Sequence, residues 1–552
     1  MLDTLSRRLW YRDDVIYCLD VETFQDSNGD GIGDFPGLSQ RLDYLDSLGV
    51  NCLWLLPFYP TVNRDNGYDV TDFYGIDPRL GTLGDFVEFM TRAEDRGIRV
   101  IVDLVVNHTS DQHPWFQAAR ADRESKYHDY YVWKDEKPAD ADEGVVFPGV
   151  QESIWTYDRK ARRYYLHRFY EHQPDLNIDN PAVRNEICRI MGFWLKLGIS
   201  GFRLDAAPFL IELKGIDDPD SDDPLSFLHE FRNFVSFCRG DAILLAEANV
   251  PLEKVPDYFG DGDRLHMLFN FLLNQQMFLA LAQQRAKPIY EALRDSPPSS
   301  EVNQFANFLR NHDELDLGRL TDEQREFVFQ QFAPDPDMRL YDRGIRRRLP
   351  PMLNGDERRL RMAYSLMFSM PGTPILRYGE EIGMGDDLSL EERDSIRTVM
   401  QWSPEEHGGF TSQHVDAGDL PRPAIRKGTY GYLKRNVYEQ QRDADSLLNW
   451  MRKLIRVRRE CPECSFGTCT VLEADDSAVL AHECRLDETA MVSLHNLSDK
   501  TKQVEVTFEG DRPRQMTDLL ADDGKHWSVN GGSMSVELGP YGFHWFHSRP
   551  EN

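Results

Sequence analysis

Between Val15 and Gly379 the chain returns eight times to a short apolar run, and each run is followed by a stretch in which apolar residues recur with helical spacing. The runs read VIYCLDV, CLWLLP, IRVIVDLVV, ISGFRLDA, AILLAEA, HMLFNF, FANFLRNH and GTPILRYG. Strand-like runs alternating with helical stretches predict βα units and a parallel sheet, here a closed (β/α)8 TIM barrel in the α/β class. A doubly wound open sheet satisfies the same pattern. The polar, aromatic-rich region 110–180 breaks the rhythm after the third run and predicts an inserted subdomain. Past residue 465 the pieces CTVLEA, SAVLAHEC, AMVSLHNL, KQVEVTF and GFHWFHS, separated by turn residues, predict a C-terminal antiparallel β-sandwich. The expected division is therefore 1–109 with 181–464 for the barrel, 110–180 for the insertion and 465–552 for the sandwich.

Composition narrows the partners. The chain has 552 residues, 41% hydrophobic and 28% charged, which suits a folded globular protein with a large core. Its formal net charge of −30 repels nucleic acid and anionic membrane alike, so neither is expected as a partner and a neutral substrate fits better. The acidic excess is spread along the chain, which reads as a solvated surface rather than an interaction tail. The opening segment MLDTLSRRLWYRDD has no apolar core of signal-peptide length, and no segment reaches the ~18 uncharged apolar residues of a membrane span. The expected location is cytoplasmic. Eight scattered cysteines suit reduced thiols better than a disulfide framework. Cys461 and Cys464, with Cys469 and Cys484, match zinc spacing only loosely, since no second close pair or histidine pair follows, and no metal is expected there.

In a barrel of this kind functional side chains sit at the carboxyl ends of the strands. The charged residues fall there: Asp103, Asn107 and His108 after the third run, Arg203 and Asp205 on the fourth, Glu247 on the fifth, His312 and Asp313 after the seventh. Separate buried salt bridges explain any one of these. Their coincidence at four strand ends points instead to a working site, because closely spaced buried carboxylates carry a penalty of several kcal/mol.

The segments DLVVNH, GFRLDAAP, LLAEAN and FLRNHDE, in this order, resemble the four signature regions of the α-amylase superfamily, glycoside hydrolase family 13. The resemblance runs from about Trp10 to the C-terminus and includes QPDLN in the insertion. It implies Asp205 as nucleophile, Glu247 as general acid and base, and Asp313 as the carboxylate that stabilises the transition state. Retaining glycosidases place two carboxyl groups ~5 Å apart, one attacking the anomeric carbon while the other protonates the departing oxygen. Arg203, two residues before Asp205, is expected on the same face, keeping the nucleophile ionised. By the same resemblance Asp65, Tyr68, His108, His312 and Arg397 contact sugar.

Calcium is implied as a structural ion, and no organic cofactor. DSNGDGIGD places Asp26, Asn28, Asp30, Ile32 and Asp34 at alternating positions, with glycines for the tight turn. A second set implied by the resemblance is Asn107, Asp175, Phe209, Leu210 and Glu212, for which ordinary hydrogen bonding is the competing reading.

Within the superfamily, DSNGDGIGDF, LWLLPFYP, HRFYEHQPDLNIDNPAV and GTPILRYGEEIGMGD resemble the trehalose synthase group, which implies interconversion of maltose and trehalose. The alternative is an α-glucosidase or transglucosylase acting on short α-glucosides, in keeping with Phe209, Val250 and Gly318 where that group usually carries other residues. A non-catalytic, membrane-anchored relative is a third reading, which the intact carboxylates oppose. The sequence leaves a homo-oligomer open.

Overall fold

The computed structural model describes residues 8–210, 223–297, 300–508, 515–521 and 526–548. All eight apolar runs become barrel strands: β1 (Ile16–Leu19), β2 (Cys52–Leu55), β3 (Arg99–Leu104), β4 (Gly201–Leu204), β5 (Ile243–Ala246), β6 (Met267–Phe269), β7 (Gln304–Asn307) and β8 (Thr373–Arg377). They close in the order β1-β8-β7-β6-β5-β4-β3-β2, so every strand lies beside its sequence neighbour. That is the outcome expected of right-handed βα crossovers repeated around a ring.

Contacts divide the chain into two compact units, one of residues 18–42 and 52–269, the other of 1–17, 43–51 and 270–552. In the first, β2 to β6 pair in continuous parallel register, with Asp103 opposite Arg203 and Arg203 opposite Leu245. Helix α1 (Pro181–Lys196) is capped by the Asn180 side chain, has proline in its first turn, and buries Val183, Ile187, Ile190, Met191, Trp194 and Leu195. That spacing is one helical face. Trp194 packs edge-on against Phe58 and Phe86, and burying each such side chain contributes roughly 1.5–3 kcal/mol. Region 110–180 carries its own three-stranded sheet, in which Arg163–Leu166 pairs with both Trp133–Lys134 and Trp155–Asp158. A small core of Ala141, Ile154, Trp155 and Leu166 lies beneath it.

In the second unit, helices α2 (Glu357–Ser369), α3 (Leu447–Arg459) and α4 (Glu463–Phe466) precede the C-terminal strands. These are β9 (Thr468–Val471), β10 (Glu473–Ala474), β11 (Val479–Leu486), β12 (Thr489–Asn496), β13 (Lys502–Thr507), β14 (Gln515–Asp518), β15 (His526–Ser528), β16 (Ser533–Leu538) and β17 (Phe543–Ser548). One sheet runs β9-β11-β12-β17-β14-β15 and the other β10-β13-β16. Val479, Ala481, Val492, Leu494, Val504, Val506, Val536 and Phe546 fill the space between them, which makes the antiparallel sandwich. The alternate residues of β11 and β12 are buried too, because the opposite face of the large sheet meets α2: His482 bonds the Ser369 carbonyl, and His495 and Trp545 share the Ser365 hydroxyl.

Candidate active site

The first unit holds a charge cluster built on β3, β4 and β5. Backbone bonds extend the ladder past the strand ends: Asp205 N–H donates to Leu104 O, Glu247 N–H to Leu204 O, and Ala207 N–H to Glu247 O. The segments bearing Asp205 and Glu247 are thereby held to each other by main chain. Two local conformations serve this. Gly201 has φ +151°, and a Cβ there would stand 2.4 Å from the Ile243 carbonyl oxygen, so only glycine permits β4 to lie this close to β5. Ala206, directly after Asp205, sits in the left-handed region at φ +50°, uncommon for a residue with a side chain and an instance of strain next to a functional group.

Arg203 is the hub. Its Nη1 lies 2.5 Å from Asp205 Oδ1 and 2.7 Å from Asp103 Oδ1, while Nη2 meets Glu247 Oε2. The guanidinium rests 5.3 Å from the Trp54 ring centroid. Tyr68 donates its hydroxyl to Asp103 Oδ2 at 3.1 Å, and the Trp54 indole N–H reaches the same oxygen at 3.3 Å. Burial alone lowers the affinity of Arg203 for its proton, but Asp103 and Glu247 raise it further, and the guanidinium stays charged. Burial pushes Asp103 up to about 7, with Arg203 pulling it back and Asp205 adding to the rise.

Exposure separates the roles of the three acids. The Asp103 side chain is 0% exposed, Asp205 10% and Glu247 24%. Asp103 is sealed off and holds Arg203, Tyr68 and Trp54, whereas Asp205 and Glu247 keep a surface that a substrate can reach.

Of the sugar-contact candidates, Tyr68 belongs to this cluster and His108 adjoins it, with Nε2 3.2 Å from the Tyr68 carbonyl oxygen. The Asp65 carboxylate accepts from the Gln173 amide at 2.8 Å.

The second unit holds the remaining candidates. Past β7, Asp313 Oδ1 is 2.9 Å from Arg397 Nη2 and 3.0 Å from Arg393 Nη1, and Asp313 Oδ2 is 3.2 Å from His312 Nε2. Arg397 also donates to the His312 carbonyl, and Arg310 to that of Asp313. The backbone around Asp313 is thus pinned by guanidinium groups, and its carboxylate keeps 16% exposure.

In the loop 26–34, Asp26 accepts from the backbone N–H of Asn28, Gly29 and Gly31, Asn28 from Asp30, and Asp30 from Ile32. Asp34 accepts from Ser27 and caps the next helix through Gly37 N–H. The side-chain donors are all oxygens, and Asp26 and Asp34 are buried. In the second set, Asn107 donates to Asp175 at 3.2 Å, Phe209 packs edge-on against Phe169, and Leu210 is buried; Glu212 lies outside the described residues. Among the described residues, the trio of His, Cys, Asp or Glu side chains whose donor atoms all fall within 4.8 Å of one another is Cys469, His482 and Cys484.

Residues 18–332 and 346–467 match the alpha amylase catalytic domain, and 469–545 match the maltogenic amylase C-terminal domain. The chain belongs to the α-amylase family. It is accordingly an enzyme of the glycoside hydrolase and glucosyltransferase type. The trehalose synthase/amylase TreS of Mycolicibacterium smegmatis is 41% identical to it over 98% of this chain and 93% of that protein. The trehalose synthase of Pimelobacter sp. is 40% identical over 97% and 95%. Among solved structures, the α-amylase from H. orenii superposes with a TM-score of 0.78 at 28% identity, covering 97% of this chain and 99% of that one.

Two residues of these clusters escaped the sequence reading in their roles. Asp103 signals itself as a lone acid in an apolar strand, but its pairing with Arg203 needs the β3–β4 register. Arg393 lies eighty residues from Asp313, in a polar segment where a charge is unremarkable. Among the described residues no helix is long and apolar enough to cross a membrane.

Proposed function

We propose that this enzyme interconverts maltose and trehalose by glucosyl transfer within one active site, with Asp205 as nucleophile, Glu247 as general acid and base, and Asp313 as the stabilising carboxylate. The carrying observation is Arg203 bridging Asp103, Asp205 and Glu247, which sets the nucleophile next to a second, more exposed acid. In this reading the Asp205 carboxylate attacks the anomeric carbon as Glu247 protonates the departing glycosidic oxygen. A glucosyl ester forms on Asp205, and the freed glucose turns in place. It then attacks through its anomeric hydroxyl, Glu247 taking the proton, and trehalose results. Asp65, Tyr68, His108, His312, Arg203 and Arg397 hold the sugar or the carboxylates. The likeness to named trehalose synthases at 40–41% identity supports isomerisation over hydrolysis.

Calcium in the loop 26–34 belongs to the same reading. The buried carboxylates of Asp26 and Asp34, the Asn28 amide and the Asp30 carboxylate are hard donors, and Gly29 (φ +84°) and Gly31 (φ +90°) permit the tight winding, so the residues fit such an ion. It would steady the loop and takes no part in the transfer. The second set, Asn107, Asp175, Phe209, Leu210 and Glu212, is proposed on the Asn107–Asp175 pair alone. The division into barrel, insertion 110–180 and sandwich from 465 is supported by the separate small cores at Trp155 and Val492. A cytoplasmic setting accords with the buried free thiols of Cys18, Cys52, Cys461, Cys464 and Cys484.

Incubation with maltose and separation of the products tests the activity. Trehalose with little free glucose is expected, and glucose as the sole product overturns isomerisation in favour of an α-glucosidase. Metal analysis of the purified chain beside Asp26→Asn tests calcium, with retention in the first and loss in the second expected.

A further inference from the structure

We propose that Cys469, His482 and Cys484, completed by Cys464, form a binding site for a zinc-class divalent ion in the C-terminal domain. The register places them. Cys469 on β9 stands directly opposite Cys484 on β11, and His482, two residues before Cys484, presents its side chain on the same face of the sheet. One donor atom from each of the three lies within 4.8 Å of the others. Cys464, on helix α4, brings a further thiol to the neighbourhood of Cys484, and its Sγ lies 3.2 Å from the Met491 thioether.

The imidazole is set for ligation. His482 Nε2 bonds the Ser369 carbonyl at 2.9 Å, so the proton sits on that nitrogen. Nδ1 is buried with no hydrogen-bond partner, a lone pair left facing the protein interior. A ligating histidine ordinarily anchors its second nitrogen on a backbone carbonyl in this way.

Charge and softness agree. Two thiolates neutralise a divalent ion, and a third is offset by the buried guanidinium of Arg458, which bonds the Ser465 hydroxyl beside Cys464 at 2.8 Å. Sulfur and imidazole donors select zinc or its soft neighbours and reject calcium, which takes oxygen. The site is therefore chemically separate from the loop 26–34. Cys469 is the partly exposed member, on the edge strand of its sheet, so an ion has a way in. Bound there, it clamps β9 and α4 onto β11.

The full chain is purified without chelator, and its zinc content is measured after gel filtration, alongside Cys469→Ser and His482→Gln. One zinc ion per chain is expected in the parent, with retention weakened at least about tenfold in both variants. Cobalt(II) is the optical probe: the parent should show thiolate-to-cobalt charge-transfer absorption and Cys469→Ser a weaker band. Cys469→Ser lies at a sheet edge and should keep its fold by circular dichroism and its turnover of maltose. Equal zinc in parent and variants, no charge-transfer band, or a Cys469–Cys484 disulfide in the purified protein overturns the proposal.

Discussion

Arg203 and Asp205, two residues apart on β4 and the turn after it, are joined by a 2.5 Å contact between Nη1 and Oδ1. The arginine also bonds Asp103 and Glu247, so one cation holds every acid in this cluster. The first prediction concerns the acid it serves. Asp205→Asn keeps size and most hydrogen bonds but removes the proposed nucleophile. Turnover of maltose should fall about 10³-fold or more while the melting temperature stays within a few degrees. A variant keeping most activity removes Asp205 from the mechanism.

Glu247→Gln separates the two halves of its proposed role as acid and base. With maltose, which needs a proton on its leaving oxygen, the rate should collapse. With a p-nitrophenyl α-glucoside, whose leaving group departs unaided, formation of the glucosyl enzyme should fall far less, and a burst of nitrophenol should precede slow turnover. Equal losses on both substrates count against the assignment.

Arg203→Met leaves three acids without their cation. Removing one partner of a buried ion cluster costs about 3–5 kcal/mol, and chemical denaturation at pH 8 should show a loss of that order. The acids escape part of the penalty by taking up protons, as Asp103, pushed up to about 7 even beside Arg203, already shows. The deficit should therefore shrink as pH falls from 8 to 6, and a deficit that grows on acidification contradicts the cluster.

His113 caps the helix Pro114–Ala121 by accepting the Trp115 N–H on Nδ1 at 3.1 Å, which only the neutral ring can do. Burial lowers its pKa from 6.5 to about 3. The folded state thus binds fewer protons than the unfolded one between those values, so its contribution is complete above pH 6.5 and is lost as pH drops. By pH 5 the loss reaches up to about 2 kcal/mol. His113→Asn, a capping residue that does not titrate, should start less stable for lack of ring packing but show a shallower fall in Tm between pH 7 and 5.

Gly201→Ala puts a methyl group 2.4 Å from the Ile243 carbonyl oxygen. A shift of β4 against β5 relieves the clash, and with it moves Asp205 relative to Glu247. Denaturation should show a loss of about 1–3 kcal/mol, and activity should fall by more than that loss accounts for.

The barrel was legible because most of its strands are short, largely apolar runs buried on both sides, as Cys52–Leu55 and Ile243–Ala246 are, and such runs stand out against the amphipathic helices between them. The acids at the strand ends were legible for the same reason: Asp205 and Glu247 interrupt apolar surroundings, and a charge there demands an explanation. Arg393 and its grip on Asp313 were not, since an arginine in ERDSIR looks like any solvated surface charge until the chain folds back on β7's end.

The amino-acid order by itself thus marked the eight strands, the sandwich that follows and the acids at the strand ends, because periodicity and misplaced charge are local properties of a chain. Only the tertiary structure decided that Asp103 is the sealed partner of Arg203 and that Cys469, His482 and Cys484 meet. Both depend on strand register, and a slip of one residue would turn each of those side chains to the other face, something no spacing along the chain records.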